Sequence, residues 1–336
     1  MKRPRFLPDN FTLCLLATVV AASLLPCSGQ TAVVFEWVTN GAIAALFFLH
    51  GAKLSREAII AGVTHWRLHI LIFACTFALF PVVGVALKPL LSPLITPELY
   101  TGILFLCALP ATVQSAIALT SMARGNIPAA ICSASASSLL GIFLTPILVS
   151  VILTTSGTHA MSFDAVSKIL LQLLLPFVLG QIARRWIGAW VTKHRAVLKY
   201  VDQGSILLVV YTAFSEAVVG GLWSQVSGSV LAGLLAVCAV ILAIVLLSTT
   251  YIARAFGFSK EDEITIVFCG SKKSLASGIP MAKVLFSSGA VGAIVLPMML
   301  FHQMQLMVCS VLARRYASRV ETPLAAPEAA SKPASN

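Results

Sequence analysis

Residues 264–286 read ITIVFCGSKKSLASGIPMAKVLF, an apolar run that carries two adjacent lysines, Lys272 and Lys273. At about 1.5 Å per residue they lie roughly 13 Å from the N-terminal end of the run, expected on the cytoplasmic side. That is near the middle of a hydrocarbon core about 30 Å thick. Ionisable groups at such depth are costly and mark transport paths. An amine there can act as a fixed cation for an anion, or exchange a proton once desolvated. It can also bond the carbonyls of a broken helix and simply hold the break together. Gly270, Ser271, Ser274, Gly278 and Pro280 around the pair are the residues of such a break. Interrupted helices form the substrate sites of many secondary transporters. A second polar interruption lies in residues 100–126, YTGILFLCALPATVQSAIALTSMARGN. Pro110 removes a helix hydrogen bond there, and Thr112, Gln114 and Ser115 follow it. Gln114 falls about 15 Å deep by the same rise.

These residues must be positioned by membrane helices. The chain has 336 residues, 58 % hydrophobic and 10 % charged, and its mean hydropathy of +0.95 excludes an ordinary soluble enzyme. Long apolar runs predict a polytopic all-α membrane protein. Ten spans are expected: 11–27, 34–52, 68–88, 99–122, 127–152, 165–183, 203–222, 229–252, 264–286 and 289–312. With both termini cytoplasmic, eighteen of the 23 Lys and Arg fall on that side, Lys88 falls opposite, and Lys168, Lys272, Lys273 and Lys283 fall within spans. This positive-inside bias accounts for the net charge of +11 without any nucleic-acid partner. The ten spans divide into repeats at 11–152 and 165–312. The fourth member of each, span 4 or span 9, is the broken one. Five is odd, so the repeats run in opposite senses and the two breaks can cross near the midplane, facing a hydrated cavity. Residues 1–10 form a cytoplasmic N-terminus, and 319–336 a tail whose Ala, Pro, Glu and Ser content predicts disorder. The first span reads as a retained helix rather than a cleaved signal.

Other polar groups offer fewer roles. Glu216, toward the outer end of span 7, suits a proton relay, an outer gate or a hydrated headgroup contact. Ser133 belongs to the small-residue run Cys132–Ser138 after the first break, where close helix approach is expected. His302, Gln303 and Gln305 sit within the last span, His50 is interfacial, and Asp202 and Gln203 open span 7. The eight cysteines form no CxxC or Cys/His set, and the six histidines are dispersed, so no metal site, phosphate loop or catalytic constellation is read. No cofactor is expected, and the chain is not read as an enzyme. The candidate substrate- or ion-binding residues are Thr112, Gln114, Ser115, Ser133, Glu216, Ser271, Lys272, Lys273, Ser274 and Gln303.

The pattern ALPATVQSAIALTSMARGN…SLLGIFLTPILV, with Gly125, Asn126, Leu139, Leu140, Leu144, Thr145 and Pro146, resembles the first crossover of the bile acid:sodium symporter superfamily. HGAKLSREAI, DEITIVFCGSKKSLASGIPMA and LARRY resemble more narrowly its YfeH-type bacterial branch, which is similar to a vertebrate bile-acid-symporter relative linked to negative regulation of calcium entry. The resemblance covers about residues 10–318. It implies two inverted five-helix repeats arranged as core and panel domains, moving against each other in alternating access. Sodium-coupled members carry a carboxylate and a Gln-Asn pair where this chain has Phe268 and Lys272–Lys273. Exchanging an anion for two amines is incompatible with an unmodified sodium cage. The expected function is therefore secondary transport of a small organic or lipophilic anion across the inner membrane, a lysine standing in for sodium. Coupling is left open: to a proton, to sodium or another ion, or absent. The alternatives are a rebuilt sodium site or a non-transporting membrane regulator.

Overall fold

In the computed structural model the described residues are 10–53, 65–91, 93–155, 163–286 and 290–319. The N-terminal segment and the tail expected above lie almost wholly outside them. Among these residues every regular element is helical, as the apolar runs predict. The long elements are α1 (Asn10–Leu24), α2 (Gln30–Lys53), α3 (Trp66–Ala86), α4 (Pro97–Ala108), α5 (Val113–Met122) and α6 (Ile127–Thr155). They continue as α7 (Phe163–Lys193), α8 (Arg195–Val219), α9 (Gly228–Ala255), α10 (Lys260–Gly270), α11 (Leu275–Leu285) and α12 (Val291–Ala317). Among the described residues six helices are long and apolar enough to cross a membrane, or seven if α4 and α5, bent by 63° at their break, count as one.

Local chemistry sets the boundaries that matter. Helix α4 begins at Thr96, whose hydroxyl accepts from Leu99 N, with Pro97 in the first turn. It stops at Ala108, because Pro110 has no N–H to continue the ladder. Helix α10 begins at Ser259, which caps Asp262 N, and carries Glu261, Asp262 and Glu263 in its first turn. Those carboxylates complement the positive end of the helix dipole. It stops at Gly270, and α11 restarts at Ser274, whose hydroxyl accepts from Ser277 N. Helix α3 contains a π-helical turn at Cys75–Leu79, which disturbs its carbonyl ladder near the two breaks.

Helices α1, α2, α7 and α8 pack on one another, and the others gather around the breaks. Helices α2 and α7 approach through glycine on both sides. A Cβ on Gly180 would lie 1.9 Å from Phe48 O, and one on Gly51 would lie 2.0 Å from Phe177 O. Such approach needs small residues. Phe80, Phe105, Phe214 and Phe301 fill the interior. Large apolar side chains such as Leu16, Trp37, Leu247 and Tyr251 face outward. A water-soluble surface would not tolerate so much exposed apolar area, whereas a lipid-facing one requires it.

Candidate functional site

The two breaks meet. Ser274 N donates to Pro110 O at 2.8 Å, so the backbone of one break satisfies the other. Helix α6 closes the first break from behind: Ala111 N donates to Ser137 Oγ at 3.0 Å, and Thr145 Oγ1 donates to Ala108 O at 2.9 Å. Gly141, between these residues on the same helix, leaves room for Pro110, since a Cβ there would lie 2.5 Å from the ring. The second break is held by Gln305. Its Oε1 accepts from Lys273 N at 3.1 Å, and its Nε2 donates to Lys273 O at 3.0 Å. Near the start of α10, Asn126 Nδ2 donates to Asp262 Oδ1 at 2.9 Å, tying the Gly125–Asn126 turn to that helix.

The adjacent lysines meet opposite fates. Both are fully buried. Lys273 Nζ donates to Thr76 O at 2.7 Å, Cys107 O at 2.8 Å and Leu109 O at 2.7 Å. It also lies 4.1 Å from the centre of the Phe80 ring. All three ammonium protons are used, and the ring face adds a cation–π contact. The acceptors come from the π-turn of α3 and the C-terminal end of α4, where unpaired carbonyls accumulate and favour a cation. Lys272 Nζ has no hydrogen-bond partner among the described residues. Its electrostatic neighbours are the thiols of Cys269 and Cys309.

Beside the breaks lies a cavity of about 770 Å³. Thr112, Gln114 and Ser115 at the N-terminus of α5 line it together with Ser274 and Ser277 of α11. No side chain caps the α5 N-terminus, because the Thr112 hydroxyl accepts from Ser115 Oγ at 2.9 Å instead. Two positive helix ends therefore open on one space, a favourable environment for an anion. Lys199 and Arg314 add full charges to the wall, while Leu275, Leu306, Met307, Val308 and Val311 make much of it apolar. An amphipathic anion suits that distribution.

Of the sequence-selected residues, Thr112, Gln114, Ser115, Ser274 and Gln303 line the cavity. Gln303 Oε1 is buried without a hydrogen-bond partner among the described residues. Lys272, Lys273 and Ser271 lie in the break itself and do not form its lining. Ser271 Oγ donates back to Val267 O at 2.6 Å. Ser133 shares a 2.6 Å hydrogen bond with His69 Nδ1, also away from the cavity. Glu216 receives both oxygens' worth of hydrogen bonds from Lys283 Nζ, at 2.7 and 2.8 Å, linking α8 to α11. Sequence reasoning passed over Thr145, Lys199 and Arg314 as site residues. Gln305 lies three residues after His302, which puts both on one face of α12, their side chains 3.0 Å apart.

Broken helices meeting beside a polar-ended cavity, within a shell of lipid-facing apolar helices, define a membrane transporter. The chain belongs to the SBF-like CPA transporter family (DUF4137), whose model matches residues 9–318. It is 70 % identical over 97 % of its length, and 98 % of the relative's, to "Uncharacterized protein PA2026" of Pseudomonas aeruginosa. It is 57 % identical to "Putative symporter YfeH" of Escherichia coli K12, covering 93 % of this chain and 94 % of that one. To "Sodium/bile acid cotransporter 7" of Rattus norvegicus the identity is 31 %, covering 81 % and 80 %. Naming for transport or symport is in keeping with a chain that is not an enzyme.

Proposed function

We propose that this chain is a secondary transporter that moves a small organic or lipophilic anion across the bacterial inner membrane by alternating access. The carrying observation is that the N-termini of α5 and α11 open on one cavity that also holds Lys199 and Arg314. Half-helix N-termini at the repeat interface bind anionic substrate groups in other transporter folds. Ten spans in two inverted repeats, with both termini cytoplasmic, accommodate the two breaks and the positive-inside bias. Helices α1, α2, α7 and α8 then form the panel, and the helices around the breaks form the core. The Glu216–Lys283 pair bridges panel to core at the outer end, and the cavity lies toward the cytoplasmic end marked by Arg314.

Lys273 takes the place of a transported cation. Three carbonyls and an aromatic face are what a desolvated monovalent cation requires, and its ammonium already fills them. Sodium is then dispensable for substrate binding.

The test uses the purified full chain with taurocholate as probe, an amphipathic sulfonate chosen because relatives are named for bile acid. Taurocholate should raise the unfolding temperature equally in sodium and choline salts. Lys199→Gln/Arg314→Gln should weaken its binding about tenfold, since each removes a cation from the wall. Stabilisation by sodium alone, with none by taurocholate, would overturn both the substrate class and the role of Lys273.

A further inference from the structure

The panel wall of the cavity carries a second titratable site. His50 of α2 and Asp202 of α8 both line the space. Asp202 Oδ2 is ion-paired with Lys53 one turn beyond His50. Asp202 Oδ1 is buried without a hydrogen-bond partner among the described residues. A buried carboxylate oxygen left unfilled is costly and calls for a donor. His50 Nδ1 lies 2.8 Å from Leu46 O. That bond places the neutral ring's proton on Nδ1 and leaves Nε2 as the acceptor.

We propose that His50, supported by Asp202, binds the coupling proton, so that the anion is carried together with H⁺. This rests on the anion-transporter reading of the same cavity. One proton adds to Nε2, the Nδ1–H bond to Leu46 O is kept, and the imidazolium forms beside Asp202 without breaking any bond. The charges facing it are few. Lys53 on its own helix is occupied by Asp202. Arg184 of α7 is turned to Ala52 O at 2.9 Å. Lys199 shares α8 with Asp202, and Arg314 and His302 of α12 line the space. The wall is otherwise positive, so a bound anion favours the extra proton. By reciprocity the proton favours the anion by the same factor.

Two measurements on the full chain test this. In the first, ¹⁵N-histidine spectra are recorded from pH 5 to 8, the His50 signal being assigned by its loss in His50→Gln. His50 should titrate within that range in the absence of any anion, and Asp202→Asn should shift its midpoint. In the second, taurocholate binding is measured in weakly buffered solution, where its sulfonate stays charged throughout. Binding should take up a proton and weaken about tenfold from pH 5.5 to 8. His50→Gln should bind with the weak, high-pH affinity at every pH. A His50 that does not titrate, or a pH dependence that survives His50→Gln, overturns the proton site. A titrating His50 with no taurocholate binding at any pH instead overturns the amphipathic-anion reading and leaves the proton site standing.

Discussion

The two broken helices differ in how they are sealed. The first break, between α4 and α5, is uncharged and rich in acceptors. Pro110 removes a donor, and the carbonyls of Cys107 and Leu109 are left for Lys273 to fill. The second, between α10 and α11, supplies donors: the Lys273 ammonium and Ser274 N both reach back into the first. The two breaks are thus closed by complementary chemistry. A lysine occupies carbonyls that, at a helix C-terminus, would otherwise call for an ion.

The sharpest way to break this comparison is to remove each amine in turn. Lys273→Met strands three buried carbonyls and should cost about 3–5 kcal/mol, the usual penalty for breaking a buried charged contact. Lys272→Met loses no side-chain hydrogen bond among the described residues and should leave stability unchanged or raised by about 1 kcal/mol. Thermal or denaturant unfolding in detergent reads both. Equal losses from the two would show that the lysines are equivalent. Small alkylammonium ions should partly restore Lys273→Ala if the carbonyls form a true cation site.

A smaller effect is expected at the clamp on the second break. Gln305→Leu removes the acceptor of the Lys273 N–H and leaves its C=O with only the 3.4 Å contact to His302 Nδ1, and should cost about 2 kcal/mol. Leu at the neighbouring Gln303, whose buried oxygen has no partner among the described residues, should cost less than Gln305→Leu. The reverse order would mean that α12 holds the break through another residue.

The smallest effect lies at the foot of α10. Burial pushes the Glu263 carboxyl up, but hydrogen bonds from Arg254, Lys260 and Tyr316 outweigh it and hold it below the usual carboxylate range. A lowered folded-state value means that this stabilisation is full above about pH 4.3. It fades as pH falls through the lower value. Glu263→Gln should therefore flatten the acid limb of the stability profile below that pH and lower stability modestly at neutrality. An acid limb identical to wild type would assign Glu263 no net part in anchoring the second break.

Much of this was legible in the residues. Pro110, the Gly270–Ser274 cluster and the polar run from Thr112 to Ser115 mark both breaks, because helix interruption depends on residue types that cannot, or need not, continue the ladder. The partners of the breaks were less legible. Thr145 reads as one more helical residue, yet its hydroxyl closes Ala108 O. Ser133 and Ser137 look equivalent in a run of small residues, but one meets His69 and the other Ala111 N. Four residues along a helix return almost to one face, so only packing decides which element each meets.

By itself the sequence determined that this is a helical membrane protein, that two of its helices are interrupted, and that two amines lie in one interruption. Periodicity, hydropathy and proline chemistry are local, and each is written in consecutive residues. Only the tertiary structure decided that Lys273 is held and Lys272 is not. The difference is made by the carbonyls of Thr76, Cys107 and Leu109, backbone groups that every residue type carries and no sequence pattern marks. The cavity was likewise decided in three dimensions. Helix ends far apart in the chain open on it, together with His50 and Asp202, because that is where the separately folded helices come to rest.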